Sequence, residues 1–204
     1  GHERESFVAC YSGAIVRVSR QGEILGKFTG NDGAVKAVRL HPRKKIGVSC
    51  SADNSLHSWD FDGNRLHSFI GHMAIVDDVD IDPTGTMIAS VSRDFTMKVY
   101  RLDDGSMVGS YSLGRRSPKA VCFVDKDTVI VTNYWGSLLR FDVSSGNTLV
   151  RHIAKNGISA LARCGDYLVA SSYDGALYLV NPANLEPINT LRSMTQRLMP
   201  SALI

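Results

Sequence analysis

An offset of 41 residues runs through the chain. Gly30-Asn31 opens one segment and Gly71-His72 opens the next. Val35 and Val38 recur as Val76 and Val79, and Leu40-His41-Pro42 recurs as Ile81-Asp82-Pro83. Asp53 recurs as Asp94, and Trp59-Asp60 as Tyr100-Arg101. A register held over a whole unit means a repeat architecture. Each unit is then one supersecondary element that buries its apolar face against its neighbours.

Two further units follow with weaker likeness. Residues 120–123, 129–132 and 138–142 read as three strands, and Trp135 stands where the repeat has aspartate. Residues 158–162, 167–171 and 176–180 read as three more, with Asp174 in place. At the front, residues 7–10 and 15–19 align with second and third strands, and 24–28 reads as a fourth. That leading unit lacks its first strand. Turn pairs punctuate the segments: Asp62-Gly63, Asp104-Gly105, Ser145-Gly146 and Asp174-Gly175. Positive φ is cheap for Gly and tolerable for Asp and Asn, so these are hairpin turns. Short strands at regular spacing, with no helical apolar period, predict an all-β protein and exclude α/β.

Composition narrows the class. Of 204 residues, 44% are apolar and 21% charged, the make-up of a globular domain rather than a disordered chain. No apolar run approaches the roughly 18 residues of a membrane span. No basic-then-apolar leader is visible. The chain opens on Gly rather than Met, which leaves a fragment of something longer open. A net charge of +3 is too weak to imply nucleic acid. Cys10, Cys50, Cys122 and Cys164 form no CxxC pair and lie in or beside apolar segments. They read as structural thiols, with no metal site and a reducing, cytoplasmic setting.

Residues 31–114 resemble WD40 repeats. The resemblance rests on Gly71-His72, Val76, Val79, Pro83-Thr84-Gly85, Ile88-Ala89-Ser90, Asp94 and Tyr100-Arg101, with Trp59-Asp60 supplying the namesake dipeptide. It implies a β-propeller of four-stranded antiparallel blades. It also implies a buried polar network in each blade. One set is His72, Ser90 and Asp94, with Tyr100 in place of Trp; another is Ser49, Asp53 and Trp59, with Asn31 in place of His. The other three blades are expected to lack most of it and to rely on apolar packing.

The expected blades are 7–30 (three strands), 31–71, 72–114, 115–155 and 156–193, all one domain. Residues 200–204 resemble 158–162, a first strand without its own second, third and fourth. Joined to the N-terminal three strands, they would close a ring of about five blades. Part of a larger propeller, or a ring completed by a second copy or another polypeptide, stays open beside that reading.

No residue set carries catalysis. His72, Ser90 and Asp94 have the types of a nucleophilic triad, but the repeat already uses them structurally and nothing marks an oxyanion hole. Asp77 and Asp78, adjacent in a strand, point to opposite faces. Asp103-Asp104 sits in a turn. No cofactor motif appears.

The residues preceding the turn-aspartate position are Tyr11, Ala52, Arg93, Tyr134 and Tyr173, and Trp135 stands beside Tyr134. In a propeller these turns gather on one face at the channel mouth. Tyr, Trp and Arg dominate interface hot spots, though aromatics also fill gaps between blades. Arg115, Arg116 and Lys119 belong to the same face. The second basic cluster, Arg43-Lys44-Lys45, falls on the opposite one, so the two make no continuous nucleic-acid stripe. The chain reads as a non-enzymatic interaction scaffold for a protein or an acidic peptide. A carbohydrate- or small-molecule-binding propeller is the alternative, as is a piece of a larger propeller joined to a catalytic or signalling domain.

Overall fold

In a computed structural model of the chain, residues 5–192 are described. They form nineteen strands, and no helix occurs among them. The first sheet is β1 (Glu5–Ala9), β2 (Ala14–Ser19) and β3 (Ile24–Thr29). The second is β4 (Val35–Leu40), β5 (Ile46–Ser51), β6 (Leu56–Asp60) and β7 (Arg65–Ser68). The third is β8 (Val76–Ile81), β9 (Met87–Ser92), β10 (Thr96–Arg101) and β11 (Met107–Ser112). The fourth is β12 (Pro118–Phe123), β13 (Thr128–Asn133), β14 (Ser137–Asp142) and β15 (Thr148–His152). The fifth is β16 (Ile158–Cys164), β17 (Tyr167–Ser172), β18 (Ala176–Val180) and β19 (Pro187–Arg192).

Every sheet is an antiparallel meander, each strand paired with its neighbours in sequence. The sheets stand side by side as blades, with β4 beside both β1 and β8, then β12 beside β8 and β16 beside β12. Among the described residues the first sheet has three strands where the others have four. The segment 200–204, expected to supply a closing strand, lies outside the described residues.

The core lies between blades rather than within them. Ile15, Val35, Trp59 and Phe61 fill the first seam, with Phe7 and Phe28 packed against them. Trp59 meets Phe7 at 5.2 Å and Phe28 at 5.0 Å between ring centroids. Val48, Leu56, Phe69, Val76 and Tyr100 belong to the second seam. Val91, Met97, Val121 and Phe123 belong to the third, and Ile130, Leu138, Ile158 and Leu168 to the fourth. Burying these faces supplies the main driving force, and the outermost strands, such as β11 and β19, face water.

One turn position repeats in all five sheets. Gly13, Asn54, Phe95, Gly136 and Gly175 stand at equivalent places between the second and third strands of a full blade, and all have positive φ. Gly and Asn adopt that conformation at little cost, but Phe95 at φ 64° is strained. At Gly136 a Cβ would also meet the Ala154 carbonyl oxygen at 2.0 Å.

Cysteine placement is mixed. Cys50 and Cys122 are buried and burial pushes both thiols up, while Cys10 is half-buried. Cys164, expected in the core, is exposed because it ends β16 beside the Gly165 turn.

Candidate functional site

The polar networks set the blades' frame. Burial holds the His72 ring below the usual imidazole range, so it is neutral near pH 7. Its Nδ1–H donates to Asp94 Oδ2 at 2.9 Å, and its Nε2 accepts the Ser90 hydroxyl at 2.8 Å. Burial works to raise the Asp94 pKa. Hydrogen bonds from Thr96, His72 and the Met73 N–H outweigh it and hold the carboxyl below its ordinary value. The fourth expected member is elsewhere: the Tyr100 hydroxyl donates to the Ile70 carbonyl at 3.2 Å, not to Ser90. In the second blade the Trp59 indole N–H donates to Ser49 Oγ at 3.2 Å, and Ser49 donates to Asn31 Oδ1 at 2.8 Å. Asn31 then donates to Ser55 Oγ at 2.6 Å, and Ser55 donates to Asp53 at 2.5 Å. The shorter Asn31 thus reaches the aspartate through one additional hydroxyl.

The later blades carry substitutes that residue-by-residue matching missed. In the fifth, the Tyr178 hydroxyl donates to Asp174 Oδ2 at 2.7 Å. In the fourth, Asn133 Oδ1 accepts the N–H groups of Trp135 at 2.9 Å and Ser137 at 3.1 Å. The signals were present: a tyrosine four residues beyond the turn aspartate, and an Asx residue two before Trp135.

The rim residues are brought to one height by a repeated backbone bond. Ala52, Arg93, Tyr134 and Tyr173 each donate N–H to the carbonyl preceding their blade's innermost strand, at Ala34, Ile75, Ser117 and Gly157. Tyr134 and Tyr173 stack with centroids 6.2 Å apart and planes within 6°. They bridge the fourth and fifth blades yet remain 41% and 43% exposed, while Trp135 is 54% and Tyr11 85% exposed. Both expected roles, seam packing and open surface, therefore meet in the same pair.

Cations thread this rim. Arg93 grips Asp77 with two bonds, Nε at 2.9 Å and one terminal nitrogen at 3.1 Å. Lys119 Nζ stands 3.7 Å from the same carboxylate and 5.0 Å over the Tyr134 ring. Lys36 Nζ lies 5.5 Å over the Tyr11 ring. The hydrogen bond from Arg93 to Asp77 raises the arginine pKa, with the carboxylate's charge adding to it against the opposing effect of burial. Arg115 and Arg116 are exposed in the segment leading to Ser117. Arg43, Lys44 and Lys45 follow β4 at the other end, so the structure brings the two basic clusters to opposite faces.

Two pockets lie along the innermost strands, one toward each end of them. The one below the rim, about 460 Å³, is lined by Phe7, Lys36, Asp77, Lys119 and Ser159 among others. The far one, about 430 Å³, is lined by Arg39, Asp80, Cys122, Leu161 and Arg163 among others. Asp77 and Asp78 diverge as alternation requires: Asp77 takes Arg93, and Asp78 takes Arg39 at 3.1 Å. The described residues contain no cluster of His, Cys, Asp and Glu able to hold a metal. They contain no helix long and apolar enough to cross a membrane.

Comparison with known proteins bears on this arrangement. The WD domain, G-beta repeat model matches residues 22–60 and 63–101. Each match covers the outer strand of one sheet and the inner three of the next. Mouse pre-mRNA-processing factor 17 is 29% identical over 126 residues, covering 58% of this chain and 22% of that protein. Eukaryotic translation initiation factor 3 subunit I of Mycosarcoma maydis is 23% identical over 178 residues, 78% of this chain and 51% of its own length. The Meyerozyma guilliermondii subunit I is 25% identical over 185 residues, 82% of this chain and 53% of its own. The chain therefore spans between about a fifth and about half of these relatives. Two WD40 repeats therefore lie in register over residues 22–60 and 63–101, within a longer run of blade-like sheets.

Proposed function

We propose that this chain is a non-catalytic interaction scaffold, and that the Tyr11–Arg93–Tyr134–Trp135–Tyr173 rim is its partner-binding face. The observation that carries this reading is the stacked and exposed Tyr134–Tyr173 pair beside Lys119 and Arg93. Large rigid aromatics with an arginine between them bury much area at small entropic cost. Similarity to a protein named as an initiation-factor subunit and to one named as a pre-mRNA-processing factor supports work within an assembly. The surplus of Lys36, Arg115 and Arg116 over the enclosed Asp77 favours an acidic segment on the partner. The test is binding of a set of acidic and neutral extended peptides to the protein and to Tyr134→Ala/Tyr173→Ala. Selective binding of acidic peptides, lost in the double variant, supports the reading. Equal binding by both proteins overturns it.

For the architecture, we infer a five-bladed ring completed by one more strand against β1, with residues 200–204 supplying it. What supports this is the three-stranded first sheet, in which β1 pairs only with β2 among the described residues. The pocket flanked by Phe7, Ala9, Ser159 and Ala160 lies beside that edge. Removing residues 200–204 should then abolish a single cooperative melt. An unchanged melt would assign the strand to another polypeptide or to none.

A further inference from the structure

The second, third and fourth blades meet at a charge cluster that the rim does not use. Asp78 and Asp80 are alternate residues of β8 and so lie on one face of it. Both reach across the gap between sheets. Asp78 Oδ2 accepts the Val121 N–H at 3.0 Å, and Asp80 Oδ2 accepts the Phe123 N–H at 2.8 Å. These two side chains thus take the backbone donors of β12, which a neighbouring strand would otherwise satisfy.

Their other oxygens face one cation. Arg39 of β4 hydrogen-bonds Asp78 Oδ1 at 3.1 Å, but its Nε stands 3.6 Å from Asp80 Oδ1, beyond hydrogen-bond range. One guanidinium therefore serves two enclosed carboxylates, and serves Asp78 better. The remaining charged or titratable groups do not correct the deficit. The Asp82 carboxylate following β8 is used by the N–H groups of Thr84, Thr86 and Met87. The Cys122 thiol of β12 and the Cys50 thiol of β5 are kept neutral by burial. Arg163, at the end of β16, lines the same far pocket but is exposed to water.

We propose that Arg39, Asp78 and Asp80 form a proton-loaded latch: the seam between the third and fourth blades is tight with Asp80 protonated and loosens at the far pocket when Asp80 ionises. The proton sits on Oδ1, which lacks a hydrogen bond from Arg39, and Oδ2 keeps the Phe123 N–H. Burial agrees with this, raising the Asp80 carboxyl to about 6, with Arg39 only partly offsetting it. The sign follows from linkage. A seam opening that wets Asp80 returns it to a solvated aspartate's 3.8, so opening releases a proton and grows easier as pH rises from about 4 to about 6. The ceiling is about a hundredfold in the opening equilibrium, two pH units at tenfold each.

The test is amide hydrogen exchange of Phe123 between pH 4.5 and 7.5, corrected for intrinsic rates, with the carboxyl carbons followed by NMR. The latch predicts that Phe123 protection falls by about tenfold or more with rising pH, up to that ceiling. It also predicts an Asp80 midpoint near 6. Asp80→Asn, the neutral isostere, should show flat protection, and Arg39→Gln should move the Asp80 midpoint upward. Protection flat in the parent protein, or an Asp80 midpoint in the ordinary carboxylate range, overturns the proposal. Both are read in the unsubstituted protein, so a variant that fails to fold does not shield it.

Discussion

Tyr134 and Tyr173 stack across the gap between the fourth and fifth blades, 6.2 Å apart and within 6° of parallel. Their backbones are pinned by equivalent bonds to Ser117 and Gly157, so the blades themselves hold the rings in place. An aromatic pair of this kind contributes on the order of 1 kcal/mol to stability. Tyr134→Ala/Tyr173→Ala should therefore lower the melting temperature by only about 2–4 °C. Partner affinity should fall by tenfold or more, the loss of a hot spot of about 2 kcal/mol. Calorimetry and a binding isotherm on the same preparation separate the two effects.

Gly47 is a core position disguised as a surface residue type. A Cβ there would come within 2.1 Å of the Trp59 indole, which is buried against Phe7 and Phe28. Gly47→Ala should cost about 1–3 kcal/mol by overpacking. That corresponds to a fall of roughly 2–10 °C in melting temperature.

Phe95 pulls the other way. Its equivalents in the other blades are Gly13, Asn54, Gly136 and Gly175, and it alone puts a bulky side chain at that left-handed position. Phe95→Gly removes about 1–2 kcal/mol of steric cost against about 1 kcal/mol of added chain entropy. A chemical-denaturation midpoint equal to or slightly above the parent's is expected, where a glycine elsewhere in these turns replaced by Phe should lower it.

How much of this was legible follows from which interactions are periodic. The all-β blades follow from the repeat, whose offset of 41 links positions 11, 52, 93 and 134 and shortens to 39 at Tyr173, because near-equal spacing puts residues at similar height. The apolar seams follow from strand alternation. What escaped is what depends on side-chain reach. The Tyr100 hydroxyl turns to the Ile70 carbonyl instead of reaching the Ser90 network. Asn31 is shorter than histidine and recruits Ser55. The Arg39–Asp78–Asp80 cluster escaped although Arg39 and Asp80 hold equivalent positions 41 apart, because it forms only where β4, β8 and β12 of three blades are set side by side.

The histidines give an acid limb of known sign. His41, His57 and His72 are all held below their ordinary value, chiefly by burial. His41 is the clearest: Nδ1 accepts the N–H groups of Arg43 and Lys44, each at 2.9 Å, and Nε2–H donates to the Gly85 carbonyl at 3.1 Å. A proton on Nδ1 would remove that acceptor. A depressed pKa contributes stability that is full above about 6.5 and is lost as pH falls below it. Asp80 works oppositely, gaining stability as pH falls from about 6. Unfolding midpoints between pH 7.5 and 5 should therefore fall less steeply in His41→Asn, which cannot be protonated, than in the parent.

The central claim is that partners dock on the tyrosine rim. A photo-crosslinking amino acid placed at Trp135, on the rim, and separately at Lys126, in the turn between β12 and β13 at the opposite end, addresses it most directly. The account predicts a discrete adduct with a partner polypeptide from position 135 and none from 126, abolished by Tyr134→Ala/Tyr173→Ala. Equal adducts from both positions, or a partner captured only from 126, would contradict it.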